Sequence, residues 1–253
     1  MIQEIPANGI RAAVHIVLQG KGGVGKSFVS AILAQYFRAK AVPVYCLDTD
    51  PVSATFAQYR ILEAEHLKLL RRGTVNEKQF DALVEKACQC EGVFVVDTGA
   101  TTFVPLWNYI LENDILAFLR AHNRNVFVHS VVTGGQALTD TLNSLERLAQ
   151  TTTDKSVVVW LNEYFGEIAI DGKTFEQFKI AEEYAPKLVA SVVIRERNPH
   201  TYGDDVRMML ERRLTFEEAI RNEDFSLVSK QRLTIVRREI FEQLDKLSLV
   251  LGE

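Results

Sequence analysis

The 253-residue sequence predicts a single doubly wound α/β domain over residues 1–253, a mainly parallel sheet with helices on both faces. Three observations predict it. Six short runs are too uniformly apolar for half-exposed strands and read as strands buried on both sides. Stretches with helical spacing separate them, and alternation of strand and helix winds a parallel sheet. Gly-rich and acidic clusters follow directly upon the runs, where ligands bind beyond the carboxyl ends of parallel strands.

Composition narrows the class. With 47% hydrophobic and 25% charged residues, the chain has enough apolar content for one large core. A formal net charge of −4 argues against a surface built wholly for nucleic acid or anionic lipid, leaving room for a local basic patch. The opening MIQEIPANGIRAAVHIVLQG lacks the basic-then-apolar pattern of a signal peptide. No apolar run nears the roughly 18 residues that suggest a membrane span. The expectation is a soluble, cytoplasmic protein without membrane insertion. Cys46, Cys88 and Cys90 are too few for a disulfide scaffold, and Cys-x-Cys without other ligands nearby is a poor metal site, so they read as ordinary thiols.

The first run, 13–18 (AVHIVL), leads into Gly20-Lys21-Gly22-Gly23-Val24-Gly25-Lys26-Ser27, which satisfies G-x-x-x-x-G-K-[ST], and a helix over 27–39 follows. Glycines let the backbone wrap closely enough for N–H groups to face a β-phosphate, and the helix N-terminus adds partial positive charge. The nucleotide-binding stretch is therefore Gly20, Gly22, Gly23, Val24, Gly25, Lys26, Ser27 and Phe28, with Lys26 neutralising the β- and γ-phosphates. Ser27 is the expected Mg²⁺ ligand, since Mg²⁺ favours oxygen donors beside phosphates. ATP with Mg²⁺ is the expected ligand.

The second run, 43–47, ends in Asp48-Thr49-Asp50-Pro51. Two acids at a strand end are poorly buried without a cation, although helix-capping aspartates in a turn would look the same. A helix over 76–90 precedes the third run, 92–96, which ends in Asp97-Thr98-Gly99. Asp97 is placed to hold a Mg²⁺-bound water, and the Gly99 amide to contact a γ-phosphate. The runs 126–132 and 156–161 flank a helix over 135–150, and Asn162 follows, either meeting adenine's N6 and N7 edge or ending a turn. A helix over 173–184, the run 188–194 and a helix over 202–213 come next. Over 227–250, Leu233, Val236, Ile240, Leu244 and Leu247 form the stripe of an amphipathic helix that closes over the sheet or meets a partner.

Lys21 is the less ordinary residue, because the general motif leaves that position free. Lys-Gly-Gly-x-Gly-Lys-Ser is the deviant Walker A signature, and through it the chain resembles the ParA/MinD superfamily of ATPases in the SIMIBI class of P-loop NTPases. The resemblance implies a homodimer in the ATP state, with nucleotide sandwiched between subunits and Lys21 reaching the partner's phosphates. It also implies that Asp48-Thr49-Asp50-Pro51 is switch I, with Asp50 on the attacking water and Asp48 in the outer Mg²⁺ shell, two roles that the sequence leaves exchangeable. Lys21, Lys26 and Asp50 are then the catalytic residues, and Ser27, Asp48 and Asp97 the metal-holding ones. Residues 195–199 follow the last run, where relatives line the base pocket.

The blocks HIVLQGKGGVGKS, LDTDPVSATFAQY, DTGATTFVPLWNYI and VVVWLNEYFG, within about residues 14–170, look like the TraL group of conjugal-transfer ATPases. That likeness implies a protein partner in a transfer or partition machinery. Phe56, Phe103 and Trp107 within these blocks are core residues or switch edges. A partition ATPase binding nonspecific DNA is the alternative, since residues 207–238 carry eight Lys/Arg against five Asp/Glu. Metabolic kinases of the dethiobiotin synthetase type normally lack the lysine at position 21. Iron–sulfur carriers with the signature lysine need paired cluster cysteines that Cys88 and Cys90 do not supply.

Overall fold

The computed structural model describes residues 12–71 and 74–247. The opening segment through residue 11, and residues 248–250 of the predicted last helix, lie outside them. In chain order the elements are β1 (Ala13–Val17), α1 (Lys26–Ala39), β2 (Val44–Asp48), β3 (Glu65–His66), a hairpin of β4 (Leu70–Arg71) and β5 (Thr74–Val75), α2 (Glu77–Gln89), and β6 (Val93–Asp97). There follow α3 (Phe103–Glu112), α4 (Ile115–Ala121), β7 (Asn125–Thr133), α5 (Leu138–Thr151), β8 (Val157–Asn162), and a second hairpin of β9 (Ala169–Ile170) and β10 (Lys173–Thr174). The chain continues with α6 (Lys179–Glu183), β11 (Leu188–Ile194), α7 (Asp204–Glu211), α8 (Phe216–Arg221) and α9 (Leu227–Asp245).

Seven strands form one sheet in the order β11-β8-β7-β1-β6-β2-β3, and all neighbouring pairs are parallel. After β1 the chain crosses β6 to reach β2, then returns, and β7 continues on the other side. The loop leaving β1 therefore sits at the switch point, with β6 and β7 as neighbours.

Side chains alternate between two cores. Ala13 and Val17 of β1 join Ile32, Leu33 and Phe37 of α1 and Leu233, Val236, Ile240 and Leu244 of α9. Val14 and Ile16 face the other way, toward Phe80 and Leu83 of α2 and Leu106, Trp107 and Ile110 of α3. Phe56, Phe103 and Trp107 are all buried, so the choice between core and switch edge falls to the core. Val52 and Val104 beside them are exposed instead.

The predicted helix over 173–184 is broken up. Asp171 and Gly172 both have positive φ, the requirement of a tight hairpin turn, so 173–174 pair with 169–170. A short 3₁₀ turn then places Phe175 and Phe178 in a small core beside Leu145 of α5, and Phe178 is extended, which delays the helix to Lys179. The helix expected over 202–213 begins at Asp204, after a π turn over Pro199–Gly203.

One polar chain crosses the buried sheet. Trp160 Nε1–H donates to His129 Nδ1 at 2.9 Å, and His129 Nε2 lies 2.9 Å from His15 Nδ1. Since the indole only donates, a neutral His129 carries its proton on Nε2 and gives it to His15. His15 then bears a proton on Nε2, which is buried without a partner. Burial lowers both histidines, His129 to about 3, with His129 adding to the lowering of His15. The unfolded chain takes up these protons near pH 6.5 and the folded one does not. Stability is thus full above about pH 6.5 and is lost as pH falls toward the folded values, by about 1.4 kcal/mol per pH unit for each histidine. In urea titrations from pH 7 to pH 5, His129→Gln is expected to remove one histidine's share of this slope. Parallel curves for variant and wild type would contradict the assignment.

Candidate nucleotide and metal site

Three strand ends converge on the loop after β1. Val17 and Asp48 both stand in register with Asp97, so the ends of β1, β6 and β2 lie side by side. Two threonines clip them together: Thr98 Oγ1–H donates to Val17 O at 2.7 Å, and Thr49 Oγ1–H to Asp97 O at 2.8 Å. The β-branched residues that make the strands also seal their ends, and the acids are carried to the mouth of the sheet.

The loop itself depends on glycine. Gly25 caps α1 with φ 102°, and a Cβ there would stand 2.9 Å from Asn162 Nδ2. α1 has no acid in its first turn, so its N-terminal field is free to favour an anion. Lys26 is nearly buried, and its Nζ–H donates to Lys21 O at 2.8 Å, which curls the ammonium over the loop's own backbone. Burial lowers the Lys26 ammonium, against the attraction of Asp97 and Asp50.

The acids divide in their surroundings. Asp48 is buried, and its two oxygens accept the backbone N–H groups of Asp50 and Ala57, each at 2.9 Å, so it braces the loop after β2. Burial raises its carboxyl, although those two hydrogen bonds oppose the shift. Asp97 Oδ1 accepts the Ser30 hydroxyl at 2.8 Å, whereas Oδ2 is buried without a partner. Burial pushes the Asp97 carboxyl up to about 7; Ser27, Ser30 and Lys26 pull it down, and neighbouring Asp48 raises it further. Asp50 Oδ1 accepts the Val52 N–H at 2.9 Å and lies against Gly99, where a Cβ would be 2.6 Å away. Residue 99 therefore cannot carry a side chain while Asp50 keeps this place.

A buried carboxylate oxygen without a donor, beside Ser27 and a second acid, suits a hard cation bound through oxygen and water. Among the described residues, no group of three His, Cys, Asp or Glu is arranged to hold a metal unaided. A Mg²⁺ ion here would fill the rest of its shell with water or phosphate oxygens.

Asn162, read from sequence as a base contact or a turn residue, is occupied at both ends. Its Nδ2–H donates to Val24 O at 2.9 Å, and its Oδ1 accepts Tyr164 N–H at 3.2 Å, pinning the loop to β8. A base contact would require the first bond to open. A cavity of about 300 Å³ lies farther along, between Phe28, Ile194, Arg197, Tyr202, Val236 and Ile240. Glu239 of α9 pairs with Arg197, whose guanidinium lies 4.9 Å from the Tyr202 ring centre. Arg195, Glu196 and Pro199 also line this cavity, and its wall from α9 is not apparent from the sequence, where the stripe reads as a helix that closes over the sheet or meets a partner.

Lys21 stands on the outer side of the loop, its Nζ–H bonded to Asp140 Oδ2 at 2.7 Å. It does not join Lys26 and the acids within the subunit.

The sequence profile of the CobQ/CobB/MinD/ParA nucleotide binding domain matches residues 15–223. The chain belongs to this family. Within the CobQ/CobB/MinD/ParA family it is similar to two proteins named TraL from Escherichia coli. One is 43% identical over 235 residues, covering 92% of this chain and 98% of the relative. The other is 42% identical over 240 residues, covering 94% and 100%. Among solved structures, the MinC:MinD cell division protein complex of Aquifex aeolicus aligns with a TM-score of 0.52 at 14% identity, over 95% of this chain and 98% of that one, a likeness of fold. Thus the chain has the P-loop NTPase fold of the SIMIBI class and a nucleotide-binding domain with TraL relatives.

Proposed function

We propose that this family member is an ATP-binding and ATP-hydrolysing molecular switch, cycling between separate subunits and an ATP-bound sandwich dimer, in conjugative transfer of a plasmid or integrative element. The observation that carries the reading is the convergence of a two-lysine phosphate loop with Asp48, Asp50 and Asp97 at adjoining strand ends. The transfer setting rests on the similarity to TraL over nearly the whole chain.

The loop amides and Lys26 would grip the β- and γ-phosphates, with Lys26 leaving the Lys21 carbonyl to do so. Mg²⁺, held by Ser27 and through water by Asp97, would neutralise phosphate oxygens when bound. Asp50, which lies against Gly99, would orient the attacking water. Asp48, spent on backbone N–H groups, keeps Asp50 there. The cavity beside Phe28 would take the base. Lys21 of the facing subunit would stabilise the charge that develops on the transferred phosphoryl group.

The DNA-binding alternative draws no support from the C-terminal basic residues. Of the eight between 207 and 238, five (Arg207, Arg212, Arg221, Arg232 and Arg238) are paired with carboxylates. Among the described residues, no helix is long and apolar enough to cross a membrane.

Size-exclusion chromatography with light scattering tests the reading. With Mg²⁺ and a nonhydrolysable ATP analogue the mass is expected to double relative to the ADP-bound protein. A single mass under both conditions would rule out the switch.

A further inference from the structure

We propose that Asp140 restrains the signature lysine: in a lone subunit it holds the Lys21 ammonium on its own chain and yields it only to a facing triphosphate. The inference rests on the dimer reading above and adds its regulation. Lys21 Nζ–H meets Asp140 Oδ2 at 2.7 Å, with the two side chains 46% and 54% exposed. Exposed pairs are ordinarily weak, partly because two long side chains must be ordered. Here the backbone under the pair is already fixed.

Gln19 is wholly buried and bonds to both sides. Its Oε1 accepts Lys21 N–H at 3.4 Å, and its Nε2–H groups reach Val131 O at 2.7 Å and Thr141 O at 3.3 Å. The residue after Asp140 is thus tied to the amide that supports Lys21. Gly20 is closed in from the same side, since a Cβ there would stand 3.1 Å from Ser144 Oγ and 3.1 Å from Phe103. The first turn of α5 and the start of the phosphate loop are one packed unit, and the pair spans its surface.

A carboxylate offers the ammonium one negative charge, and a triphosphate in a facing subunit offers several. Charge-assisted bonds to phosphate oxygens would win that exchange, while a diphosphate lacks the γ-oxygens and competes less well. Asp140 would thereby suppress pairing of subunits that lack ATP.

The test compares wild type, Asp140→Asn and Asp140→Glu in two assays. The first measures ATP turnover per subunit against protein concentration. The second follows acylation of Lys21 by mass spectrometry on dilute ADP-bound protein. Asp140→Asn is expected to lower the half-maximal protein concentration by about two- to fivefold and to speed Lys21 labelling by a similar factor, the range open to an exposed pair. Asp140→Glu should stay near wild type in both. An unchanged or raised midpoint, or unchanged labelling, overturns the restraint. If wild-type turnover per subunit does not rise with concentration, the dimer fails and the restraint with it.

Discussion

Lys21→Ala is expected to lower ATP turnover by at least about 10³-fold while changing the dissociation constant for ATP by no more than about threefold, the scale of loss seen when a trans-acting cation is removed from a phosphoryl-transfer site. The two numbers separate because the two lysines lie on opposite sides of the loop. Lys26 is nearly buried within its own subunit's site, whereas Lys21 points outward to Asp140. On the proposed reading, binding would draw on the loop amides and Lys26, and turnover on a group that arrives from the facing subunit. Mixing Lys21→Ala with an excess of an Asp50→Asn subunit sharpens the experiment: each supplies what the other lacks, so a mixed dimer should regain one working site. Undiminished turnover by Lys21→Ala alone would end the trans assignment.

Asp97→Asn is expected to stabilise the nucleotide-free protein at pH 8 while abolishing any Mg²⁺-dependent gain in nucleotide affinity. With a folded pKa near 7 against 3.8 for an ordinary aspartate, the folded state binds the extra proton between those values. Stability is therefore greatest below about pH 3.8, falls as pH rises through the window, and is level above about 7. The shift corresponds to about 4 kcal/mol at 1.36 kcal/mol per unit, an order-of-magnitude figure. Lys26 loses an attractive neighbour in the variant, so the net gain is on the order of 2 kcal/mol. Because His15 and His129 titrate with the opposite slope, the quantity to measure is the difference between wild-type and variant unfolding free energies from pH 5 to pH 8.5. A variant less stable than wild type at pH 8 would show that Asp97 is not the strained group.

Much of this candidate site is legible in the sequence because its requirements are local. A loop that wraps phosphate needs glycines at fixed steps, and each acid follows immediately upon an apolar run, so 20–28, Asp48, Asp50 and Asp97 could be read in line. All six long strands were legible within one residue at either end, since runs buried on both faces have no competing pattern. Helix α3 is masked in the sequence, although Phe103, Leu106, Trp107 and Ile110 have helical spacing, because the segment also reads as a switch edge. The Asp171-Gly172 turn lies immediately before the 173–184 stretch, whose helical spacing hides that its first two residues pair back as a strand. Pairings across long sequence separations, such as Lys21 with Asp140 or Asn162 with Val24, follow from how strands stack and leave no mark in the neighbouring residues.

The wall that α9 contributes to the cavity beside Phe28 bears on the order of biosynthesis. Val236, Glu239 and Ile240 leave the ribosome long after the phosphate loop, so the cavity is open on one flank while the preceding sheet assembles. A chain released before residue 240 would carry the whole phosphate loop and still lack one flank of this cavity.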